Sequence, residues 1–204
     1  TAYSDDAKFW RHTVNWDPDE YDPRTGGRLK VVPEDEVASV RLGNWNNGAE
    51  GESISFFYVV DGENASILLL KYAVVLEDPN HGPSEQPRFN LEILDEWGQL
   101  IDYTCGSADF YADSNRPGWN TYGSVTWKDW TTIGVNLTDL SKYGDRTIKI
   151  RLTTKDCTRG QHYGYAYFTL NCTSGDMQGM SCGERPEKFE VAEGFKYNWY
   201  LMDD

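Results

Sequence analysis

Two loops of this chain hold most of the side chains whose types and spacing could do chemistry. The first carries Glu77, Asp78, His81, Glu85, Gln86 and Arg88, and the second carries Asp156, Arg159, Gln161 and His162. Two of the three histidines lie in these loops, each near an aspartate. If the fold brought the loops together, carboxylates and imidazoles would converge on a cation or a polar ligand. The plainer reading is that Asp and His cap turns and bond backbone amides. Calcium wants several hard oxygens, which makes Glu77, Asp78 and Asp156 its candidate ligands. Zinc prefers nitrogen and sulfur, so His81 and His162 would hold it with Asp78 and Asp156 only if all four met. A second acidic site, ranked lower, is Asn44, Glu50 and Glu52. Arg88, His81 and His162 are candidate contacts for a polar ligand. Arg88 is more simply an ion-pair partner for Glu77 or Asp78, and Arg41, among apolar neighbours, needs an acidic partner too.

Aromatic residues supply the other candidate chemistry. Trp119, Tyr122, Trp127 and Trp130 lie close together in the chain. Such rings stack on the apolar face of a sugar, or they pack a core. Trp130 opens a strand and is read as core. Trp119, Tyr122 and Trp127 are the candidate ligand-binding rings. The chain has no G-x-S-x-G, H-E-x-x-H, P-loop or G-x-G-x-x-G motif. No pair of carboxylates is singled out for glycoside hydrolysis. The chain is therefore expected not to be an enzyme.

The elements that must position these residues are strands. Ile148, Ile150 and Leu152 alternate with Lys149, Arg151 and Thr153, and Tyr163, Tyr165 and Tyr167 share one face of a later run. Period-two alternation bounded by Gly, Asp and Asn turns marks half-buried antiparallel strands. Earlier runs are expected at Arg28–Val32, Val37–Leu42, Ile54–Val60, Ala65–Leu76, Phe89–Leu94 and Gln99–Thr104. Ile54–Val60, apolar or aromatic but for Ser55, reads as buried on both faces. Phe110–Asn120 reads as a loop. Ala65–Leu76 is long enough for a helix, but its β-branched content and the following Glu77-Asp78-Pro79 favour a strand. The expected fold is all-β, a sandwich of two antiparallel sheets over residues 1–172, the topology of which the strand pattern alone leaves open. Residues 173–186 have linker composition. Residues 187–204 read as docked tail strands or the start of a truncated Ig- or PKD-like repeat.

The totals agree with an extracellular protein. A formal charge of −14 on 204 residues leaves no basic patch for phosphates, so nucleic acid is not an expected partner. No apolar run is long enough to span a membrane, and the chain is expected to be a monomer. The four cysteines, Cys105, Cys157, Cys172 and Cys182, contain no C-x-x-C pair. An even count in a strand-rich chain suggests two disulfides and an oxidising compartment. Three connectivities are open, with Cys105–Cys157 and Cys172–Cys182 preferred. Three N-x-S/T sequons are present, at Asn64, Asn136 and Asn171.

Several stretches together resemble a known kind of module. They are SVRLGN (Ser39–Asn44), GAEGESISF (Gly48–Phe56), YAVVLEDPNH through EQPRF (Tyr72–Phe89), and Asp156 through the His162–Tyr167 run HYGYAY. With the Trp130–Leu152 run, this resembles the jelly-roll modules of MAM-type, cleaved-adhesin and galactose-binding-like domains. It is similar to modules in large secreted surface proteins of Bacteroidetes-type bacteria. The resemblance implies a secreted or cell-surface, non-catalytic, adhesin-like module, often with a structural calcium. Its partner would be a glycan or a host or cell-surface protein. A bacterial source would leave the sequons unmodified. The alternative is a carbohydrate-binding module of a polysaccharide-degrading system.

Overall fold

The computed structural model describes residues 5–60, 67–101, 107–136, 147–173, 178–180 and 188–190. Among these residues twelve strands follow in chain order: β1 (His12–Asn15), β2 (Ser39–Leu42), β3 (Gly51–Val59), β4 (Ile67–Glu77), β5 (Arg88–Leu94), β6 (Ser107–Tyr111), β7 (Asn120–Tyr122), β8 (Val125–Asn136), β9 (Thr147–Lys155), β10 (Gly164–Thr173), β11 (Gln178–Met180) and β12 (Lys188–Glu190). Among the described residues the only helical pieces are two short 3-10 turns, at Asp5–Phe9 and Pro23–Thr25. Ten strands form two antiparallel sheets. One has the order β1-β2-β10-β4-β8-β7 and the other β3-β9-β5-β6. β11 and β12 pair with each other. The expected β-sandwich is the observed architecture.

The two sheets face each other across the main core. Leu68, Leu70, Tyr72, Val74, Leu76, Ala166 and Phe168 come from one sheet, and Phe89, Leu91, Ile93, Ile148, Ile150 and Leu152 from the other. A second core lies on the opposite face of the six-stranded sheet. There Ala73, Val75, Trp127, Tyr163, Tyr165 and Tyr167 are covered by Leu29, Val31 and Val32. With both faces covered, β4 has almost no exposed position, which is why its sequence is a nearly unbroken apolar run.

Asp22 ties the covering segment to the sheet. Its carboxylate accepts from the hydroxyls of Tyr165 and Tyr167 at 2.7 and 2.8 Å and from the amides of Arg24 and Thr25 at 2.7 and 3.2 Å. Arg41, fully buried, donates to the carbonyls of Ala7, Trp10 and Gly43 and sits over the Trp45 ring.

Three expectations are corrected. Arg28–Val32 is no strand; apart from one bridge, Tyr21 to Lys30, it is an irregular cover whose apolar residues are buried. β3 is buried on one face only. Among the described residues nothing covers its outer face, and Phe57 and Val59 lie 71% and 59% exposed. The Phe110–Asn120 loop begins later, because β6 runs to Tyr111 and pairs with β5.

Candidate functional site

Topology forces the two chemistry-bearing loops together. β4 and β10 are neighbours in one sheet, and β5 and β9 are neighbours in the other. The loop from β4 to β5 and the loop from β9 to β10 both cross between sheets at the same end. The amide of Glu77 donates to the carbonyl of Tyr163 at 3.0 Å, and that of Thr158 donates to Glu85 at 3.2 Å. Arg159 closes the pair with a fork onto the Glu85 carboxylate at 2.9–3.0 Å.

The three carboxylates considered for calcium do not share a site. Asp78 accepts from the amides of Asn80 and Ser114 and from the Gln86 side chain, each at 2.8 Å. Burial works against its charge, but these bonds hold it below the ordinary carboxylate range. Asp156 accepts from the amides of Glu50 and Gly164 at 3.1 and 3.2 Å. Burial pushes it up to about 6 despite those bonds, and the nearby charge of Glu50 adds to the rise. Glu77 accepts from the Ser124 hydroxyl at 3.1 Å. These are turn-capping duties, and their oxygens do not converge as a hard-cation cage. The lower-ranked acidic group is engaged as well, with Arg11 bridging Glu50 and Glu52 at 2.8 Å each.

The loop histidines do come together. His81 and His162 meet edge to face with ring centroids 5.4 Å apart. Their companion is Cys157, whose Sγ lies 3.4 Å from Nδ1 of His162. Cys157 and Cys172 are free thiols in the structure, so the preferred bridges are not made here. The proposed partners Cys105 and Cys182 lie outside the described residues.

The candidate aromatic platform is dispersed. Trp127 is buried in the second core and donates from Nε1 to Asp129 at 2.9 Å, a correction to its reading as a ligand contact. Trp119 packs edge-on against Phe110 at the border of the main core, with Arg116 stacked over it. Only Tyr122 is well exposed, and it lies beside the Arg28 guanidinium. Arg88 pairs with Asp109 rather than with Glu77 or Asp78, through two bonds of 2.5 and 2.9 Å. It lines a polar hollow of about 230 Å³ with Asn90, Asp109, Thr153 and Lys155 on the outer face of the four-stranded sheet.

At the other end of that sheet is a cleft that the sequence reading missed. It measures about 350 Å³ and is lined by Phe57, Asp95, Glu96, Trp97, Gly98, Thr147 and Lys149. Trp97 is 66% exposed and Phe57 71% exposed. The turn that carries Trp97 is locked. Asp95 Oδ1 accepts from the amides of Trp97 and Gln99 at 3.0 and 2.8 Å, and Gly98 takes a φ of 81°. Across the sheet, Phe57 pairs with Lys149, whose ammonium sits 5.6 Å from the ring centre. The missed signal was parity: Ser53, Ser55 and Phe57 alternate onto one face, and the two serines mark it as the wet one.

No family model matches the chain, and no curated protein matches it. Among the solved structures that resemble it distantly are three with a TM-score of 0.35 each. One is the enzymatically active domain of tailspike protein 4 of bacteriophage CBA120, at 12% identity over 79% of this chain and 17% of that one. Another is CBM28, a carbohydrate-binding module specific for non-crystalline cellulose, at 11% identity over 79% of this chain and 88% of that one. The third is SGBP-B from a complex xyloglucan utilization locus in Bacteroides uniformis, at 12% identity over 80% of this chain and 44% of that one. The chain thus spans under a fifth of the tailspike and under half of SGBP-B. At this distance none of these likenesses transfers a role to the chain.

Proposed function

We propose that this chain is a non-catalytic carbohydrate-binding β-sandwich module that works outside the cell. The observation that carries the reading is the cleft between Trp97 and Phe57, two exposed rings beside Asp95, Glu96, Thr147 and Lys149. A sugar ring presents an apolar face to a π surface and hydroxyls to charged and polar neighbours. The fixed turn at Asp95–Gly98 holds Trp97 in place before binding, which lowers the ordering cost. The polar hollow at Arg88, Asn90 and Thr153 continues the same outer face and offers hydrogen bonds to further units of a chain. A net charge of −14 disfavours polyanionic glycans, so the ligand class is a neutral oligo- or polysaccharide. Adhesion to a host or cell-surface protein would draw on a broad face of about 800 Å² on each partner, whereas a cleft of about 350 Å³ is on the scale of a small ligand.

An array of neutral glycans, followed by titration calorimetry on the best binder, tests this. Trp97→Ala should weaken binding by roughly tenfold, the expected loss for one stacking ring. Phe57→Ala should do the same. Trp16→Ala removes another exposed ring that does not line the cleft, and should leave affinity unchanged. The reading fails if no neutral glycan binds, or if binding ignores both cleft variants.

A further inference from the structure

Among the described residues, one cluster of metal-ligating side chains plays no part in the glycan reading. His81, Cys157 and His162 each offer one ligand atom, and the three atoms lie within 4.8 Å of one another. They sit at the loop end of the sandwich. From Lys149 in the glycan cleft to Cys157 is eight residues of chain, mostly β9, or about 26 Å at strand rise. The two sites are therefore separate.

We propose that His81, Cys157 and His162 form a binding site for a borderline-soft divalent metal ion, with zinc as the best fit. Two imidazoles and a thiolate are donors that zinc, cobalt and copper prefer over the oxygen ligands calcium requires. At bond lengths of about 2.3 Å to sulfur and 2.0–2.1 Å to nitrogen, tetrahedral ligand atoms stand about 3.3–3.6 Å apart. The Cys157 Sγ to His162 Nδ1 separation of 3.4 Å already matches that spacing. The widest spacing needs side-chain closure of about 1 Å, within the reach of χ rotations.

Two further observations point to a ligand. Nδ1 of His81 is buried with no hydrogen-bond partner, which is costly unless something binds there. The amide of Gln161 donates to Cys157 Sγ at 3.5 Å, which orients the sulfur as an acceptor beside the two imidazoles.

The scaffold around the cluster is firm. The Cys157 amide donates to the carbonyl of His162 at 2.9 Å, that of Gly160 donates to Cys157 at 3.0 Å, and the Gln86 side chain holds the carbonyl of His81 at 3.3 Å. Pro79, Pro83 and Pro87 stiffen the first loop. Binding would release the thiol proton to solvent as the sulfur–metal bond forms. Three protein ligands leave a fourth tetrahedral position for water or a small anion.

The test uses the full chain, reduced and stripped with chelator, then titrated with cobalt(II) and afterwards with zinc. One equivalent of cobalt should produce a near-ultraviolet sulfur-to-metal charge-transfer band and the visible bands of a tetrahedral ion. Zinc should bleach both and raise the Tm, because an ion bound only by the folded chain stabilises it. Cys157→Ser should abolish the charge-transfer band. His81→Ala should remove the zinc-induced rise in Tm while far-ultraviolet circular dichroism shows the sandwich intact. Absence of the bands in the wild type overturns the proposal. So does a band that survives in Cys157→Ser, or peptide mapping of unreduced protein that finds Cys157 bridged to Cys105.

Discussion

Asp22 shows how one side chain sets the behaviour of a whole face. It is fully buried, and burial pushes its carboxyl from the ordinary 3.8 up to about 6, against the hydrogen bonds from Tyr165, Arg24 and Thr25 that favour the anion. Because the folded value lies above the unfolded one, the folded chain binds the extra proton between about pH 4 and pH 6. Stability from this group is complete below about pH 4 and is lost as pH rises toward 6. The shift corresponds to a change on the order of 3 kcal/mol. Asp22→Asn keeps the shape and cannot ionise. Urea midpoints at pH 4, 5 and 6 should therefore show the wild type losing stability relative to the variant as pH rises. Asp156 and Glu52 shift in the same direction, so the variant keeps part of the slope. Parallel pH profiles for the two proteins would show that Asp22 stays ionised in the fold.

At the scale of elements, Gly43 closes β2 where three strands crowd. Its φ is +84°, and a Cβ there would stand 2.8 Å from both the carbonyl oxygen of Gly164 and Oγ1 of Thr154. Gly27 shares the left-handed backbone, with φ +70°, but has nothing within 4 Å of such a Cβ. Gly27→Ala should cost about 1 kcal/mol from backbone strain alone, and Gly43→Ala about 2–4 kcal/mol once the clash is added. Equal losses in thermal melts would refute the crowding. The strands themselves were legible in the sequence because burial writes a period of two, as in β9, or an apolar run, as in β4. The cover over the second core was not, because irregular backbone leaves no period: Leu29, Val31 and Val32 looked like a strand and are a packed loop. The meeting of His81 with His162 could be anticipated, since each loop leaves a long core strand. Cys157 as their companion could not, because an even cysteine count drew attention to disulfides. The Trp97 cleft escaped for another reason. Its rings come from a turn and a strand face far apart in the chain, and only the sheet's register brings them near each other.

At the scale of the whole molecule, the described residues other than the β11–β12 pair build three layers: a four-stranded sheet, a six-stranded sheet, and an irregular N-terminal cover that closes the second core. This division assigns different duties to the two outer faces. The outer face of the four-stranded sheet is uncovered among the described residues and carries the proposed glycan cleft. The far face of the six-stranded sheet is apolar and aromatic, with Trp127, Tyr163, Tyr165 and Tyr167 all nearly or fully buried, so it requires its cover. Removing residues 1–38 would expose those rings together and leave the hydroxyls of Tyr165 and Tyr167 without the Asp22 carboxylate. A contiguous apolar patch of that kind drives association. The shortened chain should therefore bind a hydrophobic dye and lose near-ultraviolet circular dichroism, while the main core preserves much of the far-ultraviolet β signal. Val31→Asp probes the same layer with a single substitution. It places an unpaired charge at a fully buried position and should lower stability by about 3 kcal/mol or more while leaving the glycan cleft on the other sheet unaltered. If Val31→Asp melts like the wild type, the cover is not part of the cooperative unit. If it loses stability and glycan affinity together, the two outer faces are coupled rather than separate.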